Sequence, residues 1–228
     1  PQLYLRDLDA FEARLVAGSG GAKQPFFSPD GKWVAFFAQG QLQKAEGAGG
    51  APIRIAEAAY AFGGTWTEDN TIIYSLFSSG LLRVPAGGGP PESLTRPDGA
   101  AKGYAHVFPQ ALPGGRSVLF TVWGQAKGSA VLSLDSGQWQ IVLPATTFAA
   151  AMFDAAGGSS GRLLLVDHAA GVRAAPFDPA HPARTSADTS VLDDVFSDID
   201  TESRAWLAVS STGTAVYAVG NPARNSLT

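Results

Sequence analysis

The chain has no cysteine and one methionine. Without thiols it forms no disulfide, offers no thiolate nucleophile and builds no zinc–thiolate centre. That absence is compatible with either redox compartment. Charged residues are scarce, at 16%, and the net charge is -4, so there is no basic patch to attract nucleic acid or an anionic membrane. No apolar run approaches the roughly 20 residues of a membrane-spanning helix, and no signal peptide is visible. The chain begins at Pro1 rather than Met and stops at Thr228, which reads as a piece of something longer.

What is abundant points one way. Hydrophobic residues make up 45% of the 228, enough for a substantial core. Glycine (27) and proline (15) supply many turns. Few charges, many turn-formers and a large apolar fraction suit an all-β domain of many short strands.

One stretch organises the rest. Phe26 to Phe37 reads strand, tight turn, strand, with Pro29-Asp30-Gly31 as the turn. Proline presets φ, and Asp and Gly tolerate left-handed backbone. Aromatic and β-branched residues fill both arms. Degraded copies follow. Trp66 to Tyr74 repeats the hairpin with Asp69-Asn70 in place of Asp-Gly, and Leu112 to Phe120 repeats it with Pro113-Gly114-Gly115. A looser copy runs through Ala150 to Val166, and a half copy through Ala205 to Val219. Each full copy is followed by an outer pair of strands joined by a turn such as Gly47 to Gly50, Gly87 to Gly89 or Asp135-Ser136-Gly137.

The spacing, about 40 to 50 residues, is the blade period of a β-propeller. It predicts one domain, 1–228, of four-stranded antiparallel blades at about 20–57, 58–96, 104–144 and 147–193. The chain starts with two outer strands (1–18) and ends with two inner ones (203–220). Joining them predicts a fifth blade that closes the ring and removes an exposed edge. In a fragment, those halves belong to different blades of a larger ring.

Chemistry candidates are weak. Gly157-Gly158-Ser159-Ser160-Gly161 satisfies G-x-S-x-G, but the nucleophile elbow needs a helix after it, and here a strand follows. His168 falls at the far end of that strand. The run Asp193 to Glu202 is the densest carboxylate cluster, and Asp198, Asp200 and Glu202 are the weak candidates for a hard cation such as calcium. It lacks the EF-hand glycine and terminal glutamate spacing, so a solvated loop is the plainer reading. His106, His168 and His181 share no metal spacing. The glycine runs precede no helix and carry no P-loop lysine, so they read as hairpin turns.

Propeller geometry offers a better guess, because the loops entering the innermost strands open on one face. These loops carry Lys23 and Gln24; Tyr60 and Phe62; Lys102, Tyr104 and His106; Thr147 and Phe148; and Asp200, Glu202 and Arg204. Gln24, Tyr60, Lys102, Tyr104, His106, Asp200, Glu202 and Arg204 are the candidate ligand-binding set at the channel mouth. Rigidly held loops with such side chains give stacking surfaces and directional hydrogen bonds. The aromatic members also suit a plainer role, as wedges between blades.

At Phe27-Ser28-Pro29-Asp30-Gly31-Lys32-Trp33-Val34-Ala35-Phe36 the chain resembles the TolB-like propeller repeats, whose signature is a Ser-Pro-Asp-Gly hairpin before an apolar strand. Leu82 to Gly89 and Phe108 to Thr121 look similar. Together they are most like the propeller regions that follow the kinase domain in bacterial membrane-anchored serine/threonine kinases. Only the first repeat keeps the full tetrapeptide, and the kinase motifs are absent. The resemblance implies a bacterial protein on the extracytoplasmic or periplasmic side. Its relatives include sensor domains, translocation proteins and gating propellers of serine peptidases. The expected function is a monomeric, non-catalytic binding or sensing module for a peptide, protein or small ligand, without a cofactor. A gating or hydrolase-associated propeller of a larger enzyme is the alternative.

Overall fold

A computed structural model describes residues 1–97 and 105–144 apart from 8, 10, 48, 78, 125 and 126. Beyond 144 it describes 148–153, 161–166, 171–178, 181, 189–192, 195, 197–198, 204–205, 207–209 and 215–217. The chain divides into two compact units, one of Pro1–Pro97 with Ala105–Pro109 and one of Asp98–Tyr104 with Gln110–Thr228.

The first unit opens with a two-stranded sheet, β1 (Tyr4–Leu5) and β2 (Arg14–Leu15), in register Tyr4 opposite Leu15. The first four-stranded sheet follows in chain order: β3 (Lys23–Phe27), β4 (Trp33–Ala38), β5 (Gln41–Glu46) and β6 (Ile53–Glu57). The second is β7 (Ala61–Trp66), β8 (Thr71–Leu76), β9 (Leu81–Pro85) and β10 (Glu92–Ser93). These are up-and-down meanders, the simplest topology that tight turns permit.

The hairpins explain why the sequence repeats. Between β3 and β4, Gly31 N–H donates to Ser28 O (2.9 Å), Ser28 Oγ donates to Asp30 Oδ1 (2.6 Å), and Trp33 N–H donates to Ser28 Oγ (2.9 Å). Between β7 and β8, Asn70 N–H donates to Thr67 O (3.0 Å), and Thr67 Oγ1 donates to Asp69 Oδ1 (2.5 Å) and to Thr71 O (2.7 Å). A hydroxyl and a carboxylate two residues on thus build the same turn twice. Only Gly31 (φ 70°) and Asn70 (φ 64°) are left-handed; Asp30, expected to share that geometry, does not. In the third copy Gly115 N–H donates to Leu112 O (3.2 Å), with Gly114 and Gly115 both left-handed. Two glycines hold that turn without a Ser–Asp pair.

Alternation places the core. Ala35 and Phe37 of β4 face one way, with Leu42, Ile55, Trp66, Ile72, Tyr74 and Val84. Val34, Phe36 and Ala38 face the other, with Ala45, Val16 and the partly buried Leu3 and Leu5. Both faces of the first sheet are therefore covered, which is why β4 reads as a nearly continuous apolar run. The Lys44 ammonium sits 4.6 Å from the centre of the Trp33 ring and 5.8 Å from that of Trp66, a cation–π link joining the two sheets.

The division between units falls within β11 (Ala105–Ala111), which begins a third sheet in the order β11, β12 (Ser117–Trp123), β13 (Gly128–Ser133), β14 (Trp139–Pro144). The fourth is β15 (Phe148–Phe153), β16 (Gly161–Val166), β17 (Val172–Phe177), β18 (Thr189–Leu192). In the second unit Leu119, Val131 and Val142 pack with Leu163, Leu165, Ala175 and Phe177. Two short antiparallel strand pairs follow among the described residues: β19 (Ser197–Asp198) with β20 (Arg204–Ala205), and β21 (Leu207–Val209) with β22 (Ala215–Tyr217).

The all-β class and the four blade-like sheets agree with the sequence reading, but the ring closure does not. Among the described residues no fifth blade is made from the N-terminal outer strands and C-terminal inner strands. The sheet β1–β2 contains no other strand, and neither does β21–β22, so no sheet closes a ring among the described residues. The reason is that β1–β2 is held by its face. Leu3 and Leu5 pack on the first sheet, while Val16 N–H donates to Leu3 O (2.9 Å) and Gly21 N–H to Pro1 O (2.8 Å). Burying an apolar face fixes which sheet a strand pair lies on, and leaves its edges uncommitted.

Candidate functional site

The leading ends of the first strands of three sheets share an unusual backbone feature. Gln24 (φ 50°), Gly63 (φ 94°) and Phe108 (φ 54°) are all left-handed. Each lies four positions before the first residue of its hairpin, Ser28, Thr67 and Leu112. The strand register slips at the first two, between Lys23 and Phe26 and between Ala61 and Gly64. A β-bulge of this kind bends the strand and re-aims a side chain. Holding a non-glycine residue there costs of order 1 kcal/mol, which the surrounding packing must offset.

Side chains tie these bulges together. Gln24 Oε1 accepts the Gly63 N–H at 2.5 Å, linking the first sheet to the second. A Cβ added at Gly63 would lie 3.1 Å from Phe108 Cα, closer than an ordinary contact. Phe62 meets Phe108 edge-on at 6.2 Å between ring centres, and Phe77 in a tilted contact at 5.8 Å. Its carbonyl accepts the Ser75 hydroxyl (2.8 Å).

Tyr60 completes this end. It sits in the turn before β7 with φ 54°, and its carbonyl accepts the Phe77 N–H (2.8 Å). Its ring is not packed away: Tyr60 is 84% exposed and Phe77 57%. Gln39, also left-handed (φ 54°) and exposed, lies in the turn whose Gly40 carbonyl accepts the Ala58 N–H (2.7 Å). This end of the unit thus carries two exposed aromatic residues, Tyr60 and Phe77, the second packed on Phe62 and through it on Phe108, with Gln24 and Gln39 in the adjoining left-handed positions.

His106 has a different setting. It is 1% exposed, its N–H donates to Ser79 O (3.0 Å), and its Nδ1 lies 2.7 Å from Thr95 Oγ1. Thr95 Oγ1 also accepts the Leu81 N–H (2.8 Å). That hydroxyl joins His106 to the end of β9, beneath the surface rather than on it.

Of the candidate ligand-binding residues, Gln24 and Tyr60 are thus brought to one end of the first unit, and His106 lies buried near them. Arg204 is in β20 opposite Asp198 of β19, as backbone neighbours. Lys102, Tyr104, Asp200 and Glu202 lie outside the described residues, as do Ser159, His168 and Thr147. Among the described residues no three His, Asp or Glu side chains gather in a way that would hold a metal ion. His181 pairs with Asp178 (3.0 Å) at the surface. Phe77, Phe108 and Gln39 were not anticipated. The signal for Phe108 was a repeated offset, because Gln24-Pro25 and Phe108-Pro109 occupy the same place before their hairpins.

No family model and no curated protein matches the sequence. Solved structures do match the fold. TolB from Acinetobacter baumannii superposes with a TM-score of 0.64 at 17% identity, over 85% of this chain and 49% of that one. A putative TolB from Agrobacterium tumefaciens gives 0.64 at 15% identity, over 83% and 74%. Regucalcin from Agrobacterium tumefaciens, a calcium-binding protein, gives 0.61 at 13%, over 87% and 67%. The chain spans about half the length of the first of these. At such identities the likeness is one of fold. It agrees with the TolB-like resemblance of the repeat and extends neither to the Ser-Pro-Asp-Gly signature nor to a kinase.

Proposed function

We propose that this chain is a non-catalytic binding module, and that the rim of Tyr60, Phe62, Phe77 and Phe108 with Gln24 is its recognition surface. The observation that carries this reading is the exposed tyrosine in strained backbone. A ring that is 84% exposed contributes little to the core, and left-handed backbone costs stability at a residue other than glycine. Such strain is retained where a side chain must be presented in one direction. The TolB-like fold supports the reading as an analogy only, since one fold hosts many functions.

The wider reading places the protein on the bacterial extracytoplasmic side, as a monomer. No helix among the described residues is long and apolar enough to cross a membrane. A kinase-linked sensor is the finer form of the proposal, and an upstream kinase domain and membrane span in the same open reading frame would support it.

The test compares wild type with Tyr60→Gly and Phe77→Ser against ligands selected from displayed peptide and small-molecule libraries. Glycine suits φ 54°, so Tyr60→Gly removes the ring without straining the fold. Loss of binding at unchanged melting temperature supports the rim. Unchanged affinity in both variants overturns it. Turnover in a broad hydrolase panel, lost in Ser159→Ala, would establish the enzyme alternative instead.

A further inference from the structure

We propose that the rim takes a neutral oligosaccharide, an inference that rests on the rim being the recognition surface and names its ligand class. Three features of the surface point there. Tyr60 and Phe77 are exposed aromatic residues, and an aromatic ring is the partner that the C–H face of a sugar requires. The neighbouring turns and strand starts of this end carry glutamine amides. Gln24 uses its carbonyl oxygen on the Gly63 N–H and Gln41 uses its own on the Gln43 amide, so each keeps N–H donors to offer, while the exposed Gln39 offers both donor and acceptor. Sugar hydroxyls donate and accept, and a mixed amide set satisfies them in both directions.

The third feature is charge. The groups described above carry none. On the same strands there is Lys23, next to Gln24, and Glu57, which is engaged by Arg54. An acidic saccharide or a phosphorylated ligand would call for free arginine forks or a bound cation; Arg54 is engaged by Glu57, and no metal-holding cluster is found among the described residues. An apolar peptide anchor would call for a concave apolar pocket that buries it, whereas these rings are exposed and flanked by glutamines. The three left-handed residues Gln24, Gln39 and Tyr60 hold the donors and the ring in place before the ligand arrives, which limits the ordering cost of binding.

The experiment is calorimetric titration of the whole chain with maltohexaose, cellohexaose, mannohexaose and chitohexaose, with oligogalacturonate as the acidic control. The expected result is saturable binding of at least one neutral hexaose. Tyr60→Gly should weaken that binding by about tenfold or more, and Tyr60→Phe by no more than about threefold. Gln39→Gly, also free of backbone strain, should weaken it without changing the melting temperature. Tighter binding of oligogalacturonate than of every neutral sugar overturns the inference, as does sugar binding that Tyr60→Gly leaves unchanged. If no sugar binds but displayed peptides are selected in a Tyr60-dependent way, the saccharide inference falls and the rim stands. If neither binds through Tyr60, both fall.

Discussion

Gln24 and Gly63 lie 39 positions apart in the chain, yet the Gln24 side-chain carbonyl accepts the Gly63 amide hydrogen. Each belongs to a bulge in the first strand of its own sheet, so one side chain ties the two sheets together at the end where the exposed aromatic residues lie. Replacing Gln24 by alanine keeps the left-handed strain and leaves a partly buried N–H without this acceptor. A loss of about 1–2 kcal/mol is expected in urea denaturation. Gln24→Glu keeps an acceptor and should recover most of it.

The buried contact between Thr95 and His106 gives a second prediction. Thr95→Val preserves shape but deprives the Leu81 N–H of its acceptor and His106 of a partner. Both groups are buried, so the variant should lose about 2 kcal/mol. The same measurement on a surface ligand residue would show almost nothing. A neutral Thr95→Val would return His106 to the list of accessible binding residues.

Tyr74 should behave in the opposite sense. It is fully buried between the first two sheets, 6.4 Å from Phe37 between ring centres, and its hydroxyl has no partner among the described residues. Burial pushes its pKa above the ordinary tyrosine value. Tyr74→Phe removes an unsatisfied polar group while keeping the ring. The melting temperature should hold or rise, by up to about 1 kcal/mol in stability. A clear loss would mean that the hydroxyl has a partner, such as a buried water.

Glycine at position 80 is a steric requirement. A Cβ there would lie 1.8 Å from the Thr95 carbonyl oxygen, a backbone atom that cannot swing away. Gly80→Ala should cost about 3 kcal/mol, at the upper end of overpacking effects. Gly87→Ala, with nothing within 4 Å of the added carbon, should be close to neutral. Thermal melts of the pair check this directly.

Acid should loosen the repeated hairpins. The Ser28 hydroxyl and the Lys32 amide hold the Asp30 carboxyl below its ordinary value of 3.8, and Thr67 does the same to Asp69. A depressed folded-state pKa gives stability that is present above the unfolded value and lost as pH falls through the folded one. The window therefore lies below about pH 4. Asp69→Asn should be slightly less stable than wild type at pH 7, and the difference should shrink towards pH 2. Because Asp69 is exposed, a difference of a few tenths of a kcal/mol is expected. A constant difference across that range would show that the hydroxyl contact does not prefer the ionised form.

Local chemistry was legible in the chain itself. Pro29-Asp30-Gly31 and Asp69-Asn70 announce hairpins because few residues accept those backbone angles, and the alternation of Ala35 and Phe37 against Val34 and Phe36 announces a sheet buried on both faces. Those preferences act within a few residues, so they survive without tertiary context. The order of four strands per sheet followed from the short turns between them. What only the folded chain decided acts at a distance. Periodicity suggested that the two ends share a sheet, but Leu3 and Leu5 commit the first strands by their face, and no local rule selects an edge partner. The rim was half visible, through Gln24 and Tyr60. Phe77 and Phe108 joined it only because both rings pack against Phe62 from other strands, and His106 left the surface because Thr95, eleven positions earlier, met it inside.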